Sequence, residues 1–436
     1  MSYYLIGIGG AGMSVVAELL HAEGHRVAGS DAKDSAVMRR LVAAGIGAQI
    51  GHDPGRLEPG MTVVISSAIQ PENPELARAR ELGLPVIHRS QALALAAGER
   101  DFVAVAGAHG KTTTSAMLAV ALHHAGADPS FAVGGTVVGY GSGAHLGSGS
   151  VLVAEADESD RSFLNYRPRV AIVTNVEPDH LDFYRTEEEF YAAFVEFAQK
   201  IVPGGLLVAC ADDPGAASIM KAATESGVRT AGYGHSSPEV TVEDDAFVVR
   251  GERFPVRLRV RGSHNMLNAA AALTAGVELG VDPATMVEGL EMFTGTGRRF
   301  EAHGTRRGVH VVDDYAHHPT EVAATLRSAR ELAEGRVLVL FQPHLYSRTL
   351  QFATRFAEAL DAADHVVVTG IYGAREEPLP GVTSELITSR MARGTHVPDR
   401  LAAAAELASA ARPGDLVLTM GAGDVTELAD VILEQL

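Results

Sequence analysis

The sequence predicts an α/β protein built from three consecutive domains. Short β-branched runs alternate with alanine- and leucine-rich helical stretches along nearly the whole chain, the pattern of parallel sheets wound with helices. At 436 residues the chain exceeds one ordinary domain. Hydrophobic residues make up 46% and charged residues 21%, so each unit has the material for its own core.

The first block runs over 1–99. Strands are expected at Tyr4–Ile8, Arg26–Gly29, Thr62–Ile65 and Pro85–Ile87 with helices between them, a Rossmann-like arrangement. Gly98-Glu99-Arg100 marks a junction, because an apolar strand, Phe102–Ala106, follows directly. The second block, 100–302, repeats the alternation with strands at Ser150–Ala154, Val170–Thr174, Gly205–Ala209 and Arg229–Ala231. Period-two alternation without helices over Glu239–Arg261 predicts a small antiparallel patch, and helices follow at His264–Leu279 and Pro283–Met292. A second junction is expected near Phe300–Gly308, where glycine and arginine accumulate. The third block, 303–436, is again Rossmann-like, with strands at Val309–Val312, Arg336–Phe341, His365–Thr369 and Asp415–Thr419.

Composition narrows the partners. A formal net charge of −18 argues against nucleic acid or an anionic membrane surface as the main partner, though not against a nucleotide held by local donors. The single cysteine, Cys210, excludes an intrachain disulfide framework. With no signal-peptide pattern, it predicts a reducing cytoplasm. No apolar run approaches the roughly twenty residues needed to span a bilayer.

Two glycine loops carry the chemistry. In the second block the strand Phe102–Ala106 breaks into Gly107-Ala108-His109-Gly110, and Lys111-Thr112-Thr113-Thr114 opens a helix reaching about Ala125. Glycines let backbone N–H groups approach phosphate oxygens, the helix N-terminus adds positive potential, and the lysine adds a point charge. The Thr112 hydroxyl then suits a magnesium ion. Val105 stands where a Walker A loop has its first glycine, so this is a P-loop ATPase-type site rather than a strict match. In the first block, Gly7-Ile8-Gly9-Gly10-Ala11-Gly12 fits G-x-G-x-x-G after a strand, and Asp31 ends the next strand. That fingerprint alone suits a nicotinamide dehydrogenase. A diphosphate cradle followed by a triphosphate loop is poorly explained by hydride transfer.

Carboxylates and histidines gather where parallel sheets assemble their sites, at strand ends. Glu155-Ala156-Asp157-Glu158-Ser159-Asp160 and Thr174-Asn175-Val176-Glu177-Pro178-Asp179-His180 are of this kind, and their oxygens and nitrogens suit a hard divalent cation. Glu187-Glu188-Glu189 reads as a solvated helix start. In the third block, Asp313-Asp314-Tyr315-Ala316-His317-His318-Pro319 and Gln342-Pro343-His344-Leu345-Tyr346-Ser347-Arg348 stand at strand ends. The adjacent His317 and His318 suit positioning or capping better than shared metal binding.

These segments, together with Ser263-His264-Asn265-Met266-Leu267-Asn268, Arg298-Arg299-Phe300-Glu301 and Gly421-Ala422-Gly423-Asp424, occur in an order that resembles the Mur ligase family. The resemblance runs through nearly the whole chain. It implies three domains that hold a UDP-sugar, ATP and an amino acid, in that order. It further implies ATP-driven amide formation between the lactyl carboxylate of UDP-N-acetylmuramate and L-alanine through an acyl phosphate, in peptidoglycan synthesis, by a cytoplasmic monomer or homodimer.

Carried over by motif, the resemblance assigns Lys111, Glu155 and His180 to catalysis and Thr112, Glu155 and His180 to magnesium. Gly107, Ala108, His109, Gly110, Lys111, Thr112, Thr113, Asn265, Asn268, Arg299 and Asp314 would meet ATP. The UDP-sugar would meet Gly9, Gly10, Ala11, Gly12, Met13, Ser30, Asp31, Ser66, Ser67, His109, Glu158 and Ser159. Tyr315, His344 and Arg348 would line the amino-acid pocket, with Arg348 pairing to the alanine carboxylate. Three positions depart from the pattern: Leu345 stands where some relatives carry a basic residue, and Ala108 replaces a common threonine. Val195 stands where ligases adding later residues carry a modified lysine, and this favours the alanine-adding type.

Overall fold

The computed structural model describes residues 1–178, 181–374 and 376–436, the side chains of Ala11, Leu181 and Asp182 excepted. The first domain comprises β1 (Ser2–Ile6), α1 (Ala11–Ala22), β2 (Arg26–Asp31), α2 (Ala36–Ala43), β3 (Gly47–Ile50), β4 (Met61–Ile65), α3 (Pro74–Glu81), β5 (Val86–His88) and α4 (Arg89–Ala97). Its five strands are all parallel in the order β3-β2-β1-β4-β5. The winding direction reverses between β1 and β4, so the loop after β1 opens at the crevice where such sheets bind ligands.

The second domain begins with β6 (Asp101–Ala106), α5 (Lys111–His124), β7 (Ser130–Val137), β8 (Ser142–His145), β9 (Val151–Glu155) and β10 (Val170–Val173). It continues through α6 (Leu181–Tyr184), α7 (Glu187–Gln199), β11 (Leu206–Cys210), α8 (Pro214–Glu225) and β12 (Arg229–Gly234). It ends with β13 (Val240–Val242), β14 (Ala246–Val249), β15 (Glu252–Pro255), α9 (Ser263–Glu278) and α10 (Pro283–Glu291). One ten-stranded sheet, β15-β14-β13-β12-β11-β10-β6-β9-β7-β8, holds them together. The expected antiparallel patch is the β13–β15 meander, which extends this sheet rather than standing apart.

The central strands are parallel and buried on both faces, which is why β6, β9, β10 and β11 read as continuous apolar runs. One apolar core runs through both domains, and together they form one compact unit, Met1–Thr294.

Gly295–Leu436 form the second compact unit. It contains β16 (Glu301–Arg306), β17 (Val309–Asp314), α11 (Pro319–Leu332), β18 (Val337–Phe341), α12 (Tyr346–Leu360) and β19 (His365–Val368). They are followed by α13 (Glu385–Thr388), β20 (Thr395–His396), α14 (Arg400–Ala410), β21 (Leu416–Met420) and α15 (Glu427–Gln435). The six-stranded sheet runs β16-β17-β21-β18-β19-β20.

Phe300–Gly308, expected as a junction, is instead mostly β16, paired antiparallel with β17. The division therefore falls earlier, between Thr294 and Gly295. Strands β3, β7, β8, β16 and β20 were not expected. They lie at or near sheet edges and carry glycine or polar residues, so the apolar signal is weak there. No helix among the described residues is long and apolar enough to cross a membrane.

Candidate functional site

The second glycine loop lies between β6 and α5. Gly107 at φ +133° and Gly110 at φ +83° adopt backbone conformations that L side chains rarely reach, and they turn the chain so that α5 starts at Lys111. A Cβ on Gly107 would strike the Thr174 hydroxyl, and one on Gly110 would lie 2.6 Å from Asn268 Oδ1. The end of β10 braces the loop. His109 N donates to Asn175 Oδ1 at 2.9 Å, Asn175 Nδ2 donates to His109 O at 2.9 Å, and Thr174 Oγ1 donates to the same carbonyl at 2.6 Å.

Lys111 is folded back onto this loop. Its Nζ donates to Gly107 O at 2.6 Å, Ala108 O at 3.3 Å and Glu158 Oε1 at 2.8 Å. Glu158, assigned by resemblance to the sugar, is only 1% exposed and faces the lysine instead. Burial pushes its carboxyl up to about 7, against the opposing pull of Lys111. Its neighbour Asp157 behaves oppositely. Burial alone would raise it, but Arg89 and Lys111 outweigh burial and hold it at about 2.

Glu155 ends β9 and accepts from Gly134 N at 2.5 Å. Thr112 is buried in the first turn of α5, and Thr113 beside it is half-buried. Thr114 donates to Asn268 Oδ1 at 3.2 Å, and Asn268 Nδ2 donates to Asn265 Oδ1 at 3.3 Å, so α9 presents both asparagines beside the loop. His180 lies outside the described residues. The remaining donor set, a helix-start hydroxyl and the strand-end Glu155 carboxylate, is hard oxygen chemistry and fits magnesium.

The first glycine loop sits between β1 and α1. Gly9 N donates to Asp31 Oδ2 at 3.0 Å, and a Cβ there would lie 2.9 Å from that oxygen. Gly10 caps α1 without a side chain, and α1 starts at Ala11. Two of the expected contact residues have buried side chains. The Met13 side chain packs in the core, which leaves its backbone for a ligand. Ser30 is fully buried and donates to Glu75, a carboxylate that also accepts from Tyr4 at 2.6 Å and Asp53 N at 2.9 Å and faces His52 at 2.8 Å.

Ser67 donates to Asp160 and lies 3.1 Å from His88 Nε2, next to half-buried Ser66. Ser159 N donates to Asp157 Oδ1 at 3.0 Å. Arg89 lies against Gly12, where a Cβ would strike its guanidinium, and donates to Asp157 Oδ2 at 2.6 Å.

In the second compact unit the Arg298 and Arg299 guanidiniums both lie 4.8 Å from the centre of the Tyr315 ring. His317 meets Tyr315 at 5.1 Å and His344 at 5.9 Å, and His344 stacks on Tyr372 at 5.9 Å. Buried Arg348 reaches His344 Nδ1 at 3.5 Å, so the three expected amino-acid residues share one cluster at the ends of β17 and β18. Leu345 holds φ +67°, and its N donates to Tyr372 O at 3.0 Å.

The Asp314 carboxylate accepts from Phe300 N at 2.8 Å, Ala316 N at 2.9 Å and Thr325 at 3.0 Å, and so braces the Arg298–Tyr315 segment. Burial raises its carboxyl above the ordinary value, against Arg299. His317 N and His318 N donate to Glu321 Oε2 at 3.0 and 3.3 Å, the capping arrangement expected for α11.

Family models match three successive stretches: "Mur ligase family, catalytic domain" over residues 2–100, "Mur ligase middle domain" over 105–276 and "Mur ligase, glutamate ligase domain" over 298–423. The chain belongs to the Mur ligase family. Similar Mur ligases include the UDP-N-acetylmuramate–L-alanine ligases of Renibacterium salmoninarum, 52% identical over 99% of this chain and 95% of that one, and of Kineococcus radiotolerans, 53% identical over 99% and 96%. Among solved structures, UDP-N-acetylmuramate–alanine ligase of Thermotoga maritima superposes with a TM-score of 0.81 at 29% identity, covering 100% of this chain and 99% of that one. A murein peptide ligase of Psychrobacter arcticus gives 0.74 at 26%, covering 100% and 98%.

Within this Mur ligase, sequence reasoning missed Asn175 as the loop's brace, Arg89 and Asp157 as a pair, and Glu75 as a buried hub. Asn175 stood inside a quoted motif and was legible. Arg89 and Glu75 sit in no motif, and only their packing reveals them.

Proposed function

We propose that the chain joins L-alanine to the lactyl carboxylate of UDP-N-acetylmuramate, driven by ATP, in the cytoplasm. The five-stranded domain takes the sugar nucleotide, the ten-stranded domain takes ATP, and the second compact unit takes the amino acid. The observation that carries this reading is the Lys111 loop. A lysine ammonium, two positive-φ glycines and a helix N-terminus converge there, next to strand-end carboxylates, in a chain 52% identical over nearly its full length to a ligase of that name.

Lys111 would leave its carbonyl and carboxylate partners for the β- and γ-phosphates, while the free N–H groups of α5 receive phosphate oxygens. Thr112, Glu155 and His180 would hold magnesium, which when bound neutralises charge on the triphosphate. Two anions must meet when the lactyl carboxylate attacks the γ-phosphorus, so charge neutralisation and alignment are the enzyme's main tasks. The new carboxyl–phosphorus bond gives an acyl phosphate as ADP leaves. The alanine amine then forms the amide and phosphate departs. Arg348 would fork onto the alanine carboxylate, with Tyr315 and His344 shaping the pocket. Gly9, Gly10, Ala11, Gly12 and Asp31 would receive the uridine diphosphate, and Asn265 and Asn268 would face the adenine.

Phosphate release with UDP-N-acetylmuramate, Mg-ATP and single amino acids tests the reading. Strong stimulation by L-alanine is expected. No release with alanine, together with a fluorescence response to NADH, would turn the first glycine loop into a dinucleotide site and sink it.

A further inference from the structure

Asp157 and Glu158 are consecutive residues, yet each holds the cation of a different glycine loop. Asp157 Oδ2 accepts from Arg89 Nη2 at 2.6 Å, and that guanidinium lies against Gly12 at the start of α1. Glu158 Oε1 accepts from Lys111 Nζ at 2.8 Å at the start of α5. The backbone between them is pinned. Phe163 N donates to Asp157 O at 3.1 Å, Arg161 N donates to Glu158 O at 3.2 Å, and the Tyr184 hydroxyl donates to the same Glu158 carbonyl. Ser159 N holds Asp157 Oδ1 at 3.0 Å. With both carbonyls tied down, neither carboxylate can follow its cation without straining a turn that also carries the other.

We propose that Asp157 and Glu158 are positioning residues that couple the two glycine loops, so that an anion bound at one changes the affinity of the other. The proposal rests on the reading above, in which the first loop takes a sugar-linked diphosphate and the second a triphosphate. A diphosphate arriving at α1 competes with Asp157 for Arg89. A triphosphate arriving at α5 competes with Glu158 for Lys111. Either event strips a carboxylate of its cation one residue from the other pair, and Glu158 is buried where charges are weakly screened. A third tie, Asp160 to Ser67 and His88, joins the same turn to the first domain. The turn is therefore a polar bridge between the two domains beside the glycine loops. Coupling of this kind is reciprocal, and its usual range is about 5–150-fold.

Isothermal titration of the full-length chain with UDP-N-acetylmuramate, without and then with magnesium and a non-hydrolysable ATP analogue, reads the coupling as a ratio of dissociation constants. A wild-type ratio differing from one by at least about fivefold is expected. Asp157→Asn and Glu158→Gln should bring it within about twofold of one while each ligand alone still binds, and Asp157→Glu should restore part of it. Arg161→Gln, on the same turn but paired outward to Glu196, should keep the wild-type ratio. If Asp157→Asn fails to fold, Arg89→Gln removes the same contact from the other side, read by ATP-analogue binding at saturating sugar nucleotide. A wild-type ratio of one, or variants that keep the wild-type ratio, overturns the coupling alone. A wild-type chain that binds no sugar nucleotide overturns the substrate reading and the coupling with it.

Discussion

The ammonium of Lys111 lies 2.8 Å from a carboxylate oxygen of Glu158, although the two residues are 47 positions apart. The contact exists because β6 and β9 are adjacent parallel strands whose ends deliver both side chains to one place. It sets a lysine and an acid together at the glycine turn that opens α5. Lys111→Ala should therefore cut phosphate release at least about a thousandfold, the scale of losing a principal electrostatic contact to the transition state. Titration should still show the sugar nucleotide binding, and a near-normal release rate would exclude the loop from catalysis.

The same pair makes folding depend on pH. Glu158 sits near 7 when folded against an ordinary 4.5, so between those values the folded chain holds a proton that the unfolded chain has released. The Glu158 contribution to stability is thus greatest below about 4.5 and diminishes as pH rises towards 7. Melting temperatures of the ligand-free protein measured from pH 5 to 7.5 should fall less steeply for Glu158→Gln than for wild type. Parallel curves would show that the carboxyl does not titrate there.

Gly107 cannot accept a side chain without displacing its neighbours. Its φ of +133° and the Thr174 and Asn175 atoms packed against it leave no room for a methyl group. Gly107→Ala should cost about 1–3 kcal/mol of stability and weaken ATP more than sugar nucleotide. Denaturant unfolding and separate titrations of the two ligands check both parts.

In the second compact unit, Arg348→Ala should raise the KM for alanine by about thirtyfold or more, the loss of a charge-assisted contact worth about 2 kcal/mol, with the KM for ATP nearly constant. An unchanged alanine dependence would remove Arg348 from the pocket.

Glu75 offers a purely structural test. Its fully buried carboxylate receives Tyr4, Ser30 and Asp53 N together, and burial with the Glu75 charge pushes the Tyr4 phenol well up. Glu75→Ala should destabilise the protein by about 2–4 kcal/mol, because several buried donors lose their acceptor at once. Thermal unfolding with alanine-dependent turnover measured alongside would separate this from any direct effect on chemistry.

Much of the architecture is legible in one dimension. Phe102–Ala106, Val170–Val173 and Leu206–Cys210 are apolar without interruption because parallel strands at a sheet centre face helices on both sides. The β7 strand was not legible, since Gly134 and Gly135 break its apolar run, nor was β16, whose residues are polar and largely exposed. Among candidate site residues, motif alone places those on the glycine loops and in the Tyr315–His344–Arg348 cluster near strand ends. That Ser30 and Asp314 are buried in intramolecular hydrogen bonds was not legible, because a polar residue at a strand end has the same letter whether it points into the crevice or into the domain.

The order of strands, glycine turns and strand-end acids was written locally, because backbone geometry and apolar periodicity act over a few residues. That alone determined an α/β chain with two glycine loops, each opening a helix. Which acid meets which cation was decided only when β6, β9 and β10 came side by side and α4 packed over the Asp157–Asp160 turn. Charges interact through space, and distance in space is not encoded in distance along the chain.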